Sequence, residues 1–534
     1  NTTANNNTAV GNSALTANTT GSTNVAVGTN SLDANTTGDS NTAVGMQAMG
    51  SHTTGDDNTA LGHSALFNNS TASNNTAIGR FALGANTTGD VNTAVGSYAM
   101  DANTTGYNNT AVGNHALGDG TNIDYVVAIG FNALKANTAD FNTAVGSEAL
   151  EANTTGTGNI AMGFRALEAN TTGGQNTGLG YASLQANTTG DANTAVGQQA
   201  LGSNTTASDN VAVGRSALLV NTTGSYNTGI GRKALEQNTT GEANVAVGRL
   251  ALGLNTTANS NTAIGHASME SNTTGADNVA VGRSALAVNT TGANNTVVGA
   301  NALDSNTTGA NNTAIGRSAL ATTTTGVNNT AVGTTSMLFN TTGASNTALG
   351  MDSLKNNTTA ASNVAVGASA LLDNTTGDQN TAIGKSTLEN NTTGQYNIGV
   401  GNFALYTNTT GNNNTAIGKD ALLYNTASNN TAVGYLALDA NTTGSYNFAF
   451  GVNALGANTT GEVNVAIANS MQTNTTGNSN IAIGSNSLDD NTTGSQNVAV
   501  GRQALGDNTT ADNNTAVGYH ALKLNTTGAS NTAV

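Results

Sequence analysis

One seventeen-residue pattern repeats along the whole chain and limits the possible folds more than any other feature. The glycine that closes NTAVG and its variants, called the repeat glycine below, recurs from Gly11 to Gly518, with Ala468 in its place once. The thirty intervals between these positions comprise twenty-seven of 17 residues and three of 16. A fixed period of this length is typical of a solenoid with one coil per repeat. We therefore expect residues 1–534 to form a single continuous solenoid of about 31 coils.

A disordered, low-complexity chain is the alternative that the composition leaves open. Only 8% of the residues are charged and 4% are aromatic. Large apolar residues nevertheless return at fixed intervals, which a disordered chain does not need. The chain has no cysteine and hence no disulfide. Because two large apolar side chains cannot order a coil of seventeen residues alone, we expect each coil to be stabilised by its neighbours.

The residues within the repeat favour strands over helices. The repeat glycine is preceded by a small residue and then an apolar residue. A small residue lies three positions after the glycine, and Leu or Met lies four positions after it. In most coils NTTG begins seven residues after the glycine. Seventeen is not a multiple of the helical period, and Asn, Thr and Gly are poor helix formers. Short β-rich runs separated by NTTG turns predict an all-β fold, a parallel β-solenoid or β-roll.

Side-chain alternation in the predicted strand suggests that several chains assemble. In NTAVG, Thr and Val point to one face and Ala and Gly to the other, and neither face carries a charge in any coil. A sheet that is covered on both faces shows this pattern. One face can line the interior of the coil, so we expect other copies of the chain to cover the second, most simply as a homotrimer. A monomeric solenoid with an exposed alanine-lined face is the alternative.

These residues resemble a known family. NTAVGxxAL, with the variants NVAVG, NIAMG and NTAIG, resembles the head repeats of trimeric autotransporter adhesins, and the full NTAVGxxALxxNTTGxx resembles the repeat arrays of bacterial and phage tail-fibre-domain proteins. The resemblance covers essentially the whole chain and implies a left-handed parallel β-roll that trimerises. The adhesin head repeats are shorter, and the NTTG turn is an addition to them.

The NTT triplets are formal N-glycosylation acceptors, and Asn18, Asn103 and Asn153 are candidate sites for sparse glycans. Stacked coils would place these asparagines about 4.8 Å apart, which is closer than full occupancy by sugars allows. We therefore favour a structural role, in which asparagines tolerate left-handed turn geometry and pair with the coils above and below.

Nine of the fourteen basic residues directly follow a repeat glycine, which suggests a surface-contact stripe. Its candidate members are Arg215, Arg232, Arg249, Arg283 and Arg317. Like charges in register repel each other, so the stripe needs an explanation. The stripe could be an edge that binds anionic glycans or an acidic neighbour. We favour the alternative, a solvated turn column or one that pairs with acids on an adjacent chain.

Several functions find no support in the sequence. The net charge of −16 argues against nucleic acid as a partner, and no apolar run is long enough to span a membrane. The five histidines occupy scattered positions without a converging acid and nucleophile, and the acids lack the alternation of a calcium-binding loop. Glycine patterns of the dinucleotide-binding type lack the strand-to-helix context. We expect no enzyme, cofactor or metal site.

The sequence therefore predicts an extracellular or cell-surface structural fibre, the shaft or head of an adhesin or tail-fibre-like appendage. Its partners would be other copies of itself and, through repeated weak contacts, host or surface glycans. A self-assembling filament or sheath is the second hypothesis. Ice binding by stacked threonines is the third hypothesis. It ranks last because the two adjacent threonines of NTTG would turn to opposite faces. Both ends fall within a repeat, so we expect a piece of a longer fibre, and residues 120–125, which lack NTTG, are a candidate kink or contact loop.

Overall fold

A computed structural model describes residues 3–534. The chain divides into two compact units, Asn1–His266 and Ala267–Val534. In each unit short strands alternate with turns, and the described residues form no α-helix. The continuity of the two units as one solenoid stays a prediction.

The described part of the first unit, residues 3–266, contains sixteen strands, each three residues long. They are β1 Thr8–Val10, β2 Val25–Val27, β3 Thr42–Val44, β4 Thr59–Leu61, β5 Thr76–Ile78, β6 Thr93–Val95, β7 Thr110–Val112, β8 Val127–Ile129, β9 Thr143–Val145, β10 Ile160–Met162, β11 Thr177–Leu179, β12 Thr194–Val196, β13 Val211–Val213, β14 Thr228–Ile230, β15 Val245–Val247 and β16 Thr262–Ile264.

The second unit contains the remaining strands of the described chain, and only the last is shorter than three residues. They are β17 Val279–Val281, β18 Thr296–Val298, β19 Thr313–Ile315, β20 Thr330–Val332, β21 Thr347–Leu349, β22 Val364–Val366, β23 Thr381–Ile383, β24 Ile398–Val400, β25 Thr415–Ile417, β26 Thr431–Val433, β27 Phe448–Phe450, β28 Val465–Ile467, β29 Ile481–Ile483, β30 Val498–Val500, β31 Thr515–Val517 and β32 Thr532–Ala533.

Within each unit, every strand pairs in parallel with the next strand along the chain, in the register of the repeat. Thr93 lies opposite Thr110 and Val95 opposite Val112, and the same register holds from β17 to β18. The turns are joined as well, since the backbone nitrogen of Thr104 donates to the carbonyl oxygen of Thr121 at 2.8 Å. The prediction of an all-β parallel β-solenoid with one coil per repeat is confirmed.

The repeat glycine is required by both its conformation and its neighbour. Gly231 has a φ of 131°, a region that is essentially closed to other residues. A Cβ atom at Gly231 would also lie 2.6 Å from the carbonyl oxygen of Gly248, one coil further on. Ala468, the one exception, has a φ of 73° and is followed by a shortened interval of 16 residues. Glycine in this column therefore allows the coils to stack at strand spacing.

The Leu or Met four residues after the repeat glycine adopts a left-handed conformation and fills the core. Met100 has a φ of 52° and Leu218 a φ of 51°, and both side chains are fully buried. Val and Ile do not occur at this position, because a β-branched side chain strongly disfavours positive φ. The strand's apolar third residue points outward, so a typical coil buries one large apolar side chain and not the two that the sequence suggested.

Two columns of buried asparagines, called the amide ladders, connect the coils. In the first ladder, which begins the NTTG turn, the Nδ2 atom of Asn103 donates to the Oδ1 atom of Asn86 at 3.0 Å. In the second, just before the strand, the Oδ1 atom of Asn92 accepts from the backbone nitrogen of Asn109 at 3.0 Å. Asn103 itself does not lie in the left-handed region, contrary to the expectation for this turn. The left-handed positions are those of Tyr98, Met100 and Asn108.

Candidate functional surfaces

The first and third residues of each strand form an uncharged surface, which we call the outer strand face of each unit. In β5, Ala77 is fully buried while Thr76 is half-buried and Ile78 is 36% exposed. In β27 of the second unit, the same two outward positions hold Phe448 and Phe450. None of the strands within residues 3–534 contains a charged residue. A surface of threonine and large aliphatic side chains therefore runs over successive coils of each unit.

The structure places the strand alanines inside the coil. The alternative of a solenoid with an exposed alanine-lined face is wrong, because the strand alanines are fully buried, as at Ala77 and Ala314. Leu and Met from the turn occupy the coil interior, and the strand adds a small residue in most coils and Val297 in one. The uncharged face on the outside therefore carries Thr and large aliphatic side chains instead of alanine.

The arginine stripe is aligned and exposed within each unit. Arg215, Arg232 and Arg249 are exposed on three successive coils of the first unit, and the Nη1 atom of Arg249 lies 3.3 Å from the Nε2 atom of His266. Arg283 and Arg317 are exposed in the second unit. None of the ion pairs formed within the described part of the chain includes these five arginines. Their charges therefore face solvent, and a role in binding stays a prediction.

The three candidate glycan acceptors are buried members of the first amide ladder. The Nδ2 atom of Asn103 donates to Asn86 and to the carbonyl oxygen of Gly106, both at 3.0 Å. The Nδ2 atom of Asn153 donates to Asn137 at 2.7 Å and to Gly156 at 2.9 Å. Asn18 is 3% exposed and donates to Gly21. A glycan would attach at this side-chain nitrogen, which is buried and hydrogen-bonded in the folded coil. The fold therefore favours a structural role for these asparagines over glycosylation.

The segment without NTTG interrupts the first amide ladder with apolar side chains. Gly120 takes the place of the ladder asparagine, and the fully buried Ile123 fills the space in front of it. The Oδ1 atom of Asn103, one coil earlier, is left buried without a hydrogen-bond partner. On the outer surface, the ring of Tyr125 in this segment and that of Phe141 are exposed and stacked with their centroids 5.6 Å apart.

Three carboxylates of the first unit lie close together but already surround a cation. Glu148, Glu151 and Glu168 bring one oxygen each within 4.8 Å of the others. The Nε atom of Arg165 lies 2.6 Å from Glu148 and 3.7 Å from Glu168. The hydrogen bond to Glu148 raises the pKa of Arg165. This cluster is therefore an ion-pair network.

A row of rings, which the sequence interpretation missed, borders a groove in the first unit. Phe81, Tyr98 and His115 each lie two residues after a repeat glycine on three successive coils, with ring centroids 5.5 Å and 5.1 Å apart. The groove beside them has a volume of about 250 Å³ and is lined by Phe67, Asn68, Phe81, Gly84, Tyr98 and Asp101. Burial raises the pKa of the Asp101 carboxyl. Aromatic residues in one column of consecutive repeats were the signal that could have revealed this row.

These features define the chain as a β-solenoid repeat protein. No protein-family model matches the chain, and neither does any curated protein sequence. Residues 3–534 contain no helix that is long and apolar enough to cross a membrane.

Proposed function

We propose that this protein is a non-enzymatic structural element of an extracellular or cell-surface fibre, the shaft or head of an adhesin or tail-fibre-like appendage. The observation that carries the proposal is the outer strand face, which repeats with little change over each unit. A catalytic site needs a few unlike groups at one place, whereas this chain distributes similar groups evenly. Sixteen stacked strands, as in the first unit, extend over about 70 Å at ~4.8 Å per strand, which suits a spacer.

We infer further that the fibre is a homotrimer in which the outer strand faces of the copies pack together. Burying a Val, Leu or Ile side chain fully is worth about 1.5–3 kcal/mol, and Ile230 is still 39% exposed in the single chain. Each coil therefore offers only a small gain, which falls short of the entropic cost of association. Many coils in register supply what one cannot. The resemblance to trimeric adhesin heads supports three copies as the number.

Light scattering coupled to size-exclusion chromatography tests this assembly. Light scattering of the wild type should give three times 52.7 kDa, the mass of one chain. A Val213→Asp, Ile230→Asp double variant places carboxylates on two adjacent strands of the outer strand face and should shift the particle toward monomer. A Thr206→Asp, Thr223→Asp double variant adds the same charge at exposed turns and should leave the mass unchanged. A wild-type monomer, or trimers in the double variant, would contradict the inferred interface.

The second hypothesis, a self-assembling filament or sheath, predicts another outcome of the same experiment. Particles would then grow without a fixed mass as protein concentration rises, since an interface that does not close on itself propagates.

One observation supports the third hypothesis, ice binding. The threonines on the outer strand face alternate with aliphatic residues along β3 to β7. Thermal hysteresis that Thr59→Lys and Thr76→Lys abolish would support it, and its absence would reject it.

A further inference from the structure

The groove beside the aromatic row exists because one side chain is missing. The residue five positions after the repeat glycine is Phe67, Gly84 and Asp101 on three successive coils, so Gly84 leaves a gap between a ring and a carboxylate. A Cβ atom at Gly84 would have backbone atoms of Phe81 as its three nearest neighbours, the closest at 3.2 Å. Other coils close the same position with larger side chains, such as Leu219, Leu338 and Leu372.

The wall of the groove is a rigid apolar surface. The rings of Phe81 and Tyr98 lie within 23° of parallel, and those of Tyr98 and His115 within 2°. His63 packs edge-on against Phe81 from the other side, with the ring centroids 5.3 Å apart. Because each ring is supported by the next, the wall is formed before any ligand arrives and loses little side-chain entropy on binding.

Two polar side chains line the groove, and a cation lies close to the rings of its wall. Asp101 supplies carboxylate oxygens and Asn68 an amide, which both donates and accepts hydrogen bonds. The guanidinium of Arg80 lies 5.1 Å from the ring centre of Phe81 and 5.5 Å from that of Tyr98. A cationic ligand would compete with Arg80 for these rings, and an anionic ligand would be repelled by Asp101. The charges therefore favour a neutral ligand with several hydroxyl groups.

We propose that this groove binds a neutral hexose ring, either free or at the end of a glycan. The apolar face of the sugar would pack against Phe67 and the aromatic row, and its hydroxyls would donate to Asp101 and exchange hydrogen bonds with Asn68. A concave apolar site with a few convergent polar groups is the usual form of a small-ligand site. The volume of about 250 Å³ corresponds to roughly eight water molecules at ~30 Å³ each, enough for one sugar ring. The groove lies within one chain, so it does not depend on the proposed assembly.

Saturation-transfer NMR of the full chain with methyl glycosides of glucose, galactose and mannose tests the proposal. At least one glycoside should receive saturation from the wild-type protein. Gly84→Leu fills the groove with a residue that the same column accepts at Leu219, and it should weaken binding about tenfold or more. Tyr98→Ser, which copies Ser216 in its own column, removes part of the wall and should weaken binding too.

Gly506→Leu is the matched control, since it makes the same change at the equivalent position of a coil in the second unit. It should leave binding unchanged, and far-UV circular dichroism should show all variants folded. The proposal is overturned if no glycoside receives saturation from the wild type, or if Gly84→Leu binds as the wild type does. Binding of choline chloride in place of the glycosides would overturn the ligand class, since it would identify a cation site.

Discussion

The side-chain nitrogen Nδ2 of Asn187 lies 2.8 Å from the side-chain oxygen Oδ1 of Asn170, one coil earlier, and both side chains are fully buried. The same nitrogen donates to the carbonyl oxygen of Gly190 at 3.0 Å, and the oxygen of Asn187 accepts from Asn204 at 2.7 Å. Each amide therefore uses both ends to join three coils. When one member of such a buried column is missing, its neighbours lose a hydrogen-bond partner.

Replacing Asn187 should open the coils on both sides of it. Asn187→Ala leaves the Oδ1 atom of Asn170 buried without a partner, which costs about 1–3 kcal/mol. It also removes one of the two acceptors of the Asn204 amide nitrogen, which keeps its hydrogen bond to the carbonyl oxygen of Ala207. Hydrogen exchange measured by mass spectrometry should show faster exchange in residues 170–207. Thr189→Ala, at an exposed threonine of the same turn, is the control and should leave exchange unchanged. Equal exchange in the two variants would show that the ladder is not stabilising.

Substitution of a repeat glycine should be among the most damaging changes. Gly231→Ala combines a φ of 131° with a Cβ atom 2.6 Å from the carbonyl oxygen of Gly248. Backbone strain of this kind alone costs about 1–3 kcal/mol, and the steric clash adds to it. Gly118→Ala, where the nearest atom would lie at 3.4 Å, should be tolerated. Urea denaturation followed by circular dichroism compares the two, and equal midpoints would contradict the steric argument.

Leu218 should accept Met but not Val. Leu218→Met keeps an unbranched Cβ and copies Met100 and Met269, so it should cost less than about 1.5 kcal/mol. Leu218→Val removes one methylene and also forces a β-branched side chain to a φ of 51°. The loss of one methylene, as in Ile→Val, typically lowers the stability by about 0.5–1.5 kcal/mol. The Val variant should lose more stability than this. Thermal unfolding of both variants is the measurement, and a Val variant as stable as the Met variant would refute the conformational reason.

His52 should make its coil sensitive to acid. It replaces a ladder asparagine, its Nε2 atom lies 2.8 Å from the carbonyl oxygen of Gly55, and its Nδ1 atom lies 2.9 Å from the amide nitrogen of Asn69. Because the Asn69 amide donates, Nδ1 must accept, and the neutral ring fits. Burial lowers the pKa of His52 from 6.5, so the unfolded chain binds the proton more readily. The stability of this coil is therefore complete above about pH 6.5 and decreases as the pH falls below it.

His52→Asn should remove this dependence and restore the ladder. Hydrogen exchange in residues 45–72, compared at about pH 5 and about pH 7.5 after correction for the intrinsic rate, should show acid-dependent opening in the wild type only. His266→Asn, at an exposed ring, should behave as the wild type does. An unchanged acid response in His52→Asn would assign the effect to other groups.

Much of the fold could be predicted from the sequence because every coil meets nearly identical neighbours. The spacing of the repeat glycines predicted one coil per seventeen residues, and the pairing of Thr93 with Thr110 confirms that register. The asparagines of NTTG were expected to pair between coils, as Asn103 and Asn86 do. A repeated sequence acts as its own alignment, so columns that contact each other are visible without a structure.

The candidate sites were less accessible from the sequence. The column that contains Arg215 and Arg232 was visible because identical residues recur at one position. The groove at Gly84 was not, because it depends on an absent side chain between two unlike residues, Phe67 and Asp101. No pattern in one coil distinguishes such a gap from an ordinary turn glycine.

The sequence by itself determined the period, the parallel stacking and the two opposite faces of each strand. Only the tertiary structure decided which face is inside. Alternation separates Ala77 from Thr76 and Ile78 but cannot say which set lies within the coil. That choice depends on the width of the interior, which Leu and Met in left-handed turns already fill, as at Leu83. Ile78 consequently faces outward, where a second chain can cover it.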